Sequence, residues 1–576
     1  TLGDTNNSLD GFLGALNVHG NAHPAGDTLT INDQADTNDN TYALTASTLN
    51  RTSAAPITYT TFENFNLQLG AGSDSLIVSD TITGPTTIDA GAGEDIVTVQ
   101  TTSGALELNG DAGADQVIVQ ATGAGQTTTI NGGEDNDAIT LQTTGGDTIV
   151  NGDAGDDEII VQTTGDGQMT TLNGDAGQDT VIVQATGLGS TTTLNGGADA
   201  DIFNVQTIAG ETTINAGAGL DTINVSSDAP ANLGTLNGIA ANLSIYGDDD
   251  LDIINISDAG DSADNTGDLT HTQLTGFGMG GALTYGGLEF LKITLGSGND
   301  QIGIHSTHTP GITDVDAGPG DDIYLVYEGW GDVIVSEHSG GIDTLDFTPV
   351  DTSLVFLIGS GLHVSAGQNL LEHPCNCIEH LIGGAGNDWF VMLPGAQLAG
   401  GTGTIVGGNG SDTISYEHYS EYGHYTIYNG TGLAAPADVE NVVLPPERPA
   451  SRDVLLEMFG YYGDTESLDE LINLVLSAAG TYRVGSGGLP IPLNGGFPTS
   501  VLTPAGNLAV FSGGIGGVAT VRDFLYSTLA GFDPIQFGMN YLGLGGRVGT
   551  FGSGATLITG ITINLVNGNA IGNVLP

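Results

Sequence analysis

The residues of this chain best suited to chemistry are aspartates that close short glycine-rich turns: Asp74, Asp95, Asp115, Asp137, Asp157, Asp179, Asp201 and Asp221. Their spacings are 21, 20, 22, 20, 22, 22 and 20 residues. Typical turns read Gly110-Asp111-Ala112-Gly113-Ala114-Asp115, Gly152-Asp153-Ala154-Gly155-Asp156-Asp157 and Gly174-Asp175-Ala176-Gly177-Gln178-Asp179. Glycine supplies the positive φ that lets carbonyl oxygens converge. Calcium takes six to eight oxygens at ~2.3–2.6 Å. A turn offering carbonyls with one or two carboxylates, stacked on the turn of the next repeat, is therefore expected to bind it. Gly110, Asp111, Gly113, Asp153 and Asp175 join the closing aspartates as expected ligands. The competing reading is an aspartate that only bonds turn backbone.

Something must hold these turns in register. A period of 20 to 22 residues with two short strands and two turns is one rung of a solenoid, too short for a propeller blade. After Asp115 and Asp179 the sequences Gln-Val-Ile-Val and Thr-Val-Ile-Val place apolar residues second and fourth, so those side chains face the core. Rungs stack ~4.8 Å apart, and unneutralised carboxylates at that spacing repel strongly; a metal is expected as a structural requirement. A longer repeat is also present. Residues 27 to 74 and 252 to 300 look like copies, with Tyr59, Glu63 and Asp74 spaced as Tyr285, Glu289 and Asp300 are. Asp300 thereby joins the expected ligands.

The 68 acidic residues against 7 basic ones, a formal charge of -61, exclude nucleic acid and anionic lipid as partners. Hydrophobic residues at 39% are too many for a disordered acidic chain, so a thin core is expected. No apolar run is long enough to span a membrane. The opening Thr1-Leu2-Gly3-Asp4 lacks basic and apolar signal regions, so an export signal is expected to have been removed upstream.

Gly383-Gly384-Ala385-Gly386-Asn387-Asp388-Trp389-Phe390-Val391 and Gly407-Gly408-Asn409-Gly410-Ser411-Asp412-Thr413-Ile414-Ser415 resemble the nonapeptide of the haemolysin-type (RTX) calcium-binding repeats. Gly318-Pro319-Gly320-Asp321-Asp322-Ile323 is a weaker variant, and Gly340 to Phe347 resembles the partial repeats that flank such runs. The resemblance spans roughly residues 65 to 445 and implies calcium at Asp322, Gly384, Gly386, Asp388, Gly408, Gly410 and Asp412. Full RTX rolls carry the calcium turn on both edges. Residues 70 to 225 have it on one edge and a Thr/Gly turn on the other, so calcium is expected along one edge there. Aspartates also replace turn glycines at Asp111, Asp135, Asp153, Asp175 and Asp199.

Other constellations are ambiguous. His373, Cys375, Cys377 and His380 read as inert turn residues, a local disulfide or a soft-metal site. His418, Tyr419, Tyr422, His424, Tyr425 and Tyr428 read as capping aromatics or as a carbohydrate or metal site. Threonine rows at Thr127 to Thr129, Thr170 to Thr171 and Thr191 to Thr193 suit exposed strands, with ice binding as the sharper alternative. No metalloprotease, serine-hydrolase or phosphate-loop motif is present, so no catalytic residue is assigned. Beyond the proline-rich Leu444 to Pro449, acidity falls, one helix is expected over 468–476, and β patches are expected at Asn507 to Phe511 and Ala555 to Val566.

The expected fold is all-β: a calcium-binding β-solenoid, β-roll or β-helix, with a small C-terminal α+β domain. The expected units are an N-terminal β module (1–69), a solenoid (70–250), a duplicated module with an RTX-like roll (251–444) and a glycine-rich cap, assembly or anchoring domain (450–576). The expected function is a secreted, calcium-stabilised structural protein of bacterial filaments, surface layer or matrix, assembling head to tail with itself. The alternative is an adhesin for cell-surface glycans or ice; a polysaccharide lyase ranks third, because only Arg51 and Lys292 precede residue 445 as bases.

Overall fold

The computed structural model describes residues 1–415, apart from 4–6, 22–25, 249, 338–339, 376, 394–395, 397 and 399–402, together with five short strands between 441 and 564. Every regular element among the described residues is a β-strand. Two long sheets face one another. One runs in a single unbroken line of 18 strands from Thr28–Asn32 to Thr404–Val406; the other has 22 strands, from Leu16–His19 to Asn441–Val443. The chain alternates between them, so each turn of chain adds a strand to each sheet and neighbours are parallel. This is a β-solenoid.

The strands form where β-branched residues alternate with polar ones, and register follows from that alternation. Leu108, Ile130, Val150, Leu172, Leu194, Ile214 and Ile245 stack as one inward column of the 18-strand sheet, all fully buried. Val117 and Val119, Ile139 and Leu141, Ile159 and Val161, and Val181 and Val183 meet them from the other sheet. The residues second and fourth after Asp115 and Asp179 are thus the core, as the alternation requires. Each such side chain stabilises the stack by ~1.5–3 kcal/mol. Outward, Asn109, Asn131, Asn151, Asn173, Asn195 and Asn215 form a ladder of side-chain amide bonds of 2.6–2.8 Å. Thr128, Thr170 and Thr192 face inward, so only alternate members of the threonine rows reach the surface.

Three antiparallel meanders interrupt the parallel stack. They comprise Thr41–Leu44, Thr48–Arg51 and Ile57–Thr60; Thr266–Leu269, Gln273–Gly276 and Leu283–Gly286; and Val355–Ile358, Leu362–Ala366 and Asn369–His373. The first two coincide with the copies legible in the sequence, where Tyr59 and Tyr285 donate their hydroxyls to the carbonyls of Thr45 and Thr270. The third is a further copy that sequence spacing missed. The strands on either side pair across residues 69–70 and 250–251 without a break.

The copies differ at one buried point. Asp33 and Asp36 in the first correspond to Asp258 and Asp261 in the second and to Phe347 and Val350 in the third, since matching backbone bonds flank each pair. In the first copy Arg51, whose side chain is 2% exposed, pairs with Asp10 and Asp33 at 2.7 Å each and with Asp36. The third copy carries no charge there. Beyond residue 441, Tyr482–Val484 pairs with Pro490–Pro492 and Asn507–Val510 with Ile561–Asn564, both antiparallel. The last two strands fall within the expected β patches. The expected helix, the proline-rich linker and the aromatic run from His418 to Tyr428 lie outside the described residues.

Replacing Arg51 with methionine strands two buried carboxylates and is expected to cost ~3–5 kcal/mol. Hydrogen exchange of the Tyr42–Leu44 amides should accelerate accordingly, while amides near Val181 remain as protected as before.

Candidate metal centre

The closing aspartates do not sit loosely in surface turns. Asp95, Asp115, Asp137, Asp157, Asp179, Asp201 and Asp221 are 0–3% exposed. In each, Oδ1 accepts the backbone N–H of the aspartate one rung earlier, at 2.6–2.8 Å. The column starts where Asn40 donates to Asp74, continues through Asp252, and stops at Glu289, whose longer side chain accepts the Asp252 N–H at 2.8 Å. A backbone donor at every turn is satisfied by a carboxylate from the next rung, an arrangement that fixes the period.

The meanders move this column from edge to edge. A second column on the opposite edge runs from Asn265 through Asp300, Asp322 and Asp343 to Glu379. A third begins on the original edge where Leu354 donates to Asp388, and continues to Asp412. The closing aspartates expected as ligands are therefore divided among three columns. Asp252, Asp343, Glu289 and Glu379 belong to the same series and were missed from sequence. The signal was present for the glutamates: Glu63 and Glu289 share their spacing from Asp74 and Asp300, and Glu63 accepts the Asp27 N–H at 2.7 Å in the same way.

The edge facing the first column is its uncharged counterpart. Thr102, Thr122, Thr144, Thr164 and Thr186 accept the N–H groups of Gly123, Gly145, Gly165, Gly187 and Ala209 at 2.7–2.9 Å. Carboxylates line one edge of these rungs and hydroxyls the other.

Oδ2 is the unresolved atom of the first column. From Asp95 to Asp252 it is buried without a hydrogen-bond partner. In the central turns it packs on the Cα of the glycine five residues earlier, where the carbonyl oxygen of the next rung also converges: a Cβ at Gly132 would strike Asp137 Oδ2 and the Gly152 carbonyl. Two oxygens that both accept thus flank the same glycine. A carboxyl proton or a cation reconciles them, so the donor set fits a hard, oxygen-seeking metal. Burial pushes the carboxyls up, to about 7 at Asp95, about 8 at Asp115, about 6 at Asp137 and about 7 at Asp157 and Asp201.

The other expected ligands are placed differently. Asp111, Asp153 and Asp175 are exposed on the turns at φ of 73°, 71° and 73°, and Asp135 and Asp199 take 76° and 74°. Aspartate tolerates this left-handed region better than most residues, which accounts for its substitution for glycine without a metal. Gly113 takes φ 122°, Gly408 97° and Gly410 125°, while buried Gly110 packs against Asp115. Asp388 holds two amides: Leu354 N–H on Oδ1 and Gly384 N–H on Oδ2. Gly386 packs on Ser353 of the neighbouring rung.

Cys375 and Cys377 are joined as a disulfide. His373 makes backbone contacts through both ring nitrogens, to the Val335 carbonyl at 2.7 Å and the Cys377 N–H at 3.3 Å. Of the three readings open in the sequence, the bonded pair is the one this structure contains. A scan against protein-family models and a search of curated proteins each found no match to this chain.

The raised carboxyls set a pH dependence. A group whose folded pKa of about 6 to 8 exceeds its unfolded value of ~3.9 stabilises the fold fully below the lower value and loses that contribution as pH rises through the upper. In chelator, the melting temperature should fall between pH 5 and pH 8; saturating calcium should flatten the decline.

Proposed function

We propose that this chain is a secreted structural protein, a calcium-neutralised rod that builds extracellular filaments, surface layer or matrix by head-to-tail association. The observation that carries the reading is the column of buried aspartates with an orphaned oxygen at each rung. Such a column repeats at every rung a need for neutralisation that calcium meets once the carboxyls ionise, and its length grows by ~4.8 Å per rung. Copying of the meander modules extends the same rod, consistent with selection for span. Cation binding to the folded state alone stabilises it by mass action, so a rod of this kind stiffens where calcium is abundant.

A second reading, an adhesin, has one observation in its favour. His305 stacks on Tyr327 with ring centroids 3.9 Å apart and bonds Asp268 at 2.9 Å, on a partly exposed face of the 18-strand sheet. If this cluster is a glycan platform, binding on a glycan array should vanish in Tyr327→Ala.

Electron microscopy of the purified chain in millimolar calcium, repeated after chelation at pH 8, tests the scaffold. Long assemblies that come apart on chelation are the expected result. Monomers whose shape and circular dichroism ignore both calcium and chelator would remove the scaffold reading.

A further inference from the structure

The second column contains something the first does not. Asp322, Glu337 and Asp343 each place a carboxylate oxygen within 4.8 Å of the others, and all three residues are 0–1% exposed. Asp322 and Asp343 are successive members of the column, with Asp343 Oδ1 accepting the Asp322 N–H at 2.9 Å. Glu337 comes from the segment between the strands Asp332–Val335 and Thr344–Asp346 and brings the third carboxylate from outside the repeat. Among the described residues, no stacked pair elsewhere in the columns gains a third carboxylate, histidine or cysteine within that distance.

Glu337 is held in place. Tyr324, fully buried, donates its hydroxyl to Glu337 Oε2 at 2.8 Å and accepts the Ala317 N–H at 2.8 Å. The disulfide loop packs on the same segment, with Cys375 Sγ 3.1 Å from the Glu337 carbonyl oxygen and His373 on the carbonyl of Val335. Asp322 Oδ1 takes the Asp300 N–H at 2.6 Å, whereas Oδ2 is buried without a partner. Among the described residues no lysine or arginine approaches as Arg51 does in the first module; Lys292, the one lysine or arginine between Arg51 and Arg448, lies on an exposed strand position.

We propose that Asp322, Glu337 and Asp343 form a discrete divalent-cation site, with calcium as its occupant, distinct from any ions along the regular turns. Oxygens bound to one calcium at ~2.3–2.6 Å are at most ~5 Å apart, and these three satisfy that limit. Three carboxylates supply at least three of the six to eight oxygens of a calcium shell, leaving the rest to carbonyls or water. A site with this ligand charge binds more tightly than the paired aspartates of the first column, which lack the third carboxylate. The inference shares its cation chemistry with the scaffold reading but depends on Glu337 rather than on the repeat.

Calorimetric titration of the full chain with calcium at pH 7 tests it, comparing Glu337→Gln with Asp157→Asn, a change within the first column. One tight equivalent should be present in the unaltered chain, weakened about tenfold or more in Glu337→Gln and retained in Asp157→Asn. Terbium gives a second measurement: tyrosine-excited emission should fall in Tyr324→Phe, which loses the adjacent sensitiser. Unchanged calcium binding in Glu337→Gln, with circular dichroism showing it folded, overturns the site, as does unchanged terbium emission in Tyr324→Phe. Weaker equivalents that respond to Asp157→Asn but not to Glu337→Gln leave the scaffold reading standing while this site falls. A single equivalent removed by Glu337→Gln alone upholds the site and counts against cations in the first column.

Discussion

The structure depends on one interaction repeated from rung to rung: a buried aspartate whose Oδ1 accepts the backbone N–H of the aspartate before it. That bond satisfies a backbone donor at a turn the sheets cannot reach. It also imposes a cost, because the same carboxylate leaves Oδ2 in a dry place without a hydrogen-bond partner. An ionised column stacked at ~4.8 Å is untenable without neutralisation. The glycine five residues before each central aspartate leaves room for that carboxylate. The acidic composition is only partly explained by it, since many aspartates are exposed turn residues chosen for positive φ.

The meanders show how such a column begins and ends. A glutamate replaces aspartate at the last position of the first two columns, and Asn40, Asn265 and Leu354 begin the three new ones. Each meander thus closes one column and opens another on the opposite edge. Comparison of the three copies gives two protein-based ways of treating buried charge at one point. Arg51 compensates it in the first, and Phe347 and Val350 remove it in the third. The second copy retains Asp258 buried with Oδ2 unpartnered and pushed up to about 7 by burial. There, as in the columns, neutralisation falls to a proton or a cation.

Much of the fold was legible because strand alternation and the 20 to 22 residue period are local signals. Val117, Val119, Val181 and Val183 could be assigned to the core from their offset to Asp115 and Asp179. The third meander was not legible: its spacing differs, and apolar Phe347 and Val350 replace the aspartates that marked the other copies. The change of edge was hidden too, since sequence shows that a turn recurs but not which sheet precedes it. Glu337 had no sequence signal at all. It acquires meaning only when Asp322, Asp343 and Tyr324 are brought around it. The role of the column aspartates was legible as to position but not as to bonding, because an amide one rung away is invisible to a local motif.

The most direct test of a neutral aspartate column is the infrared spectrum of its carboxyl groups, recorded on folded, metal-free protein at pH 7 with aspartate labelled in the side-chain carbonyl carbon. Neutralisation by protons requires a carboxylic-acid band from the folded chain, absent after unfolding and lost as calcium is added. A folded, metal-free protein whose labelled aspartates are all ionised, and remain so with no spectral change on adding calcium, would contradict it.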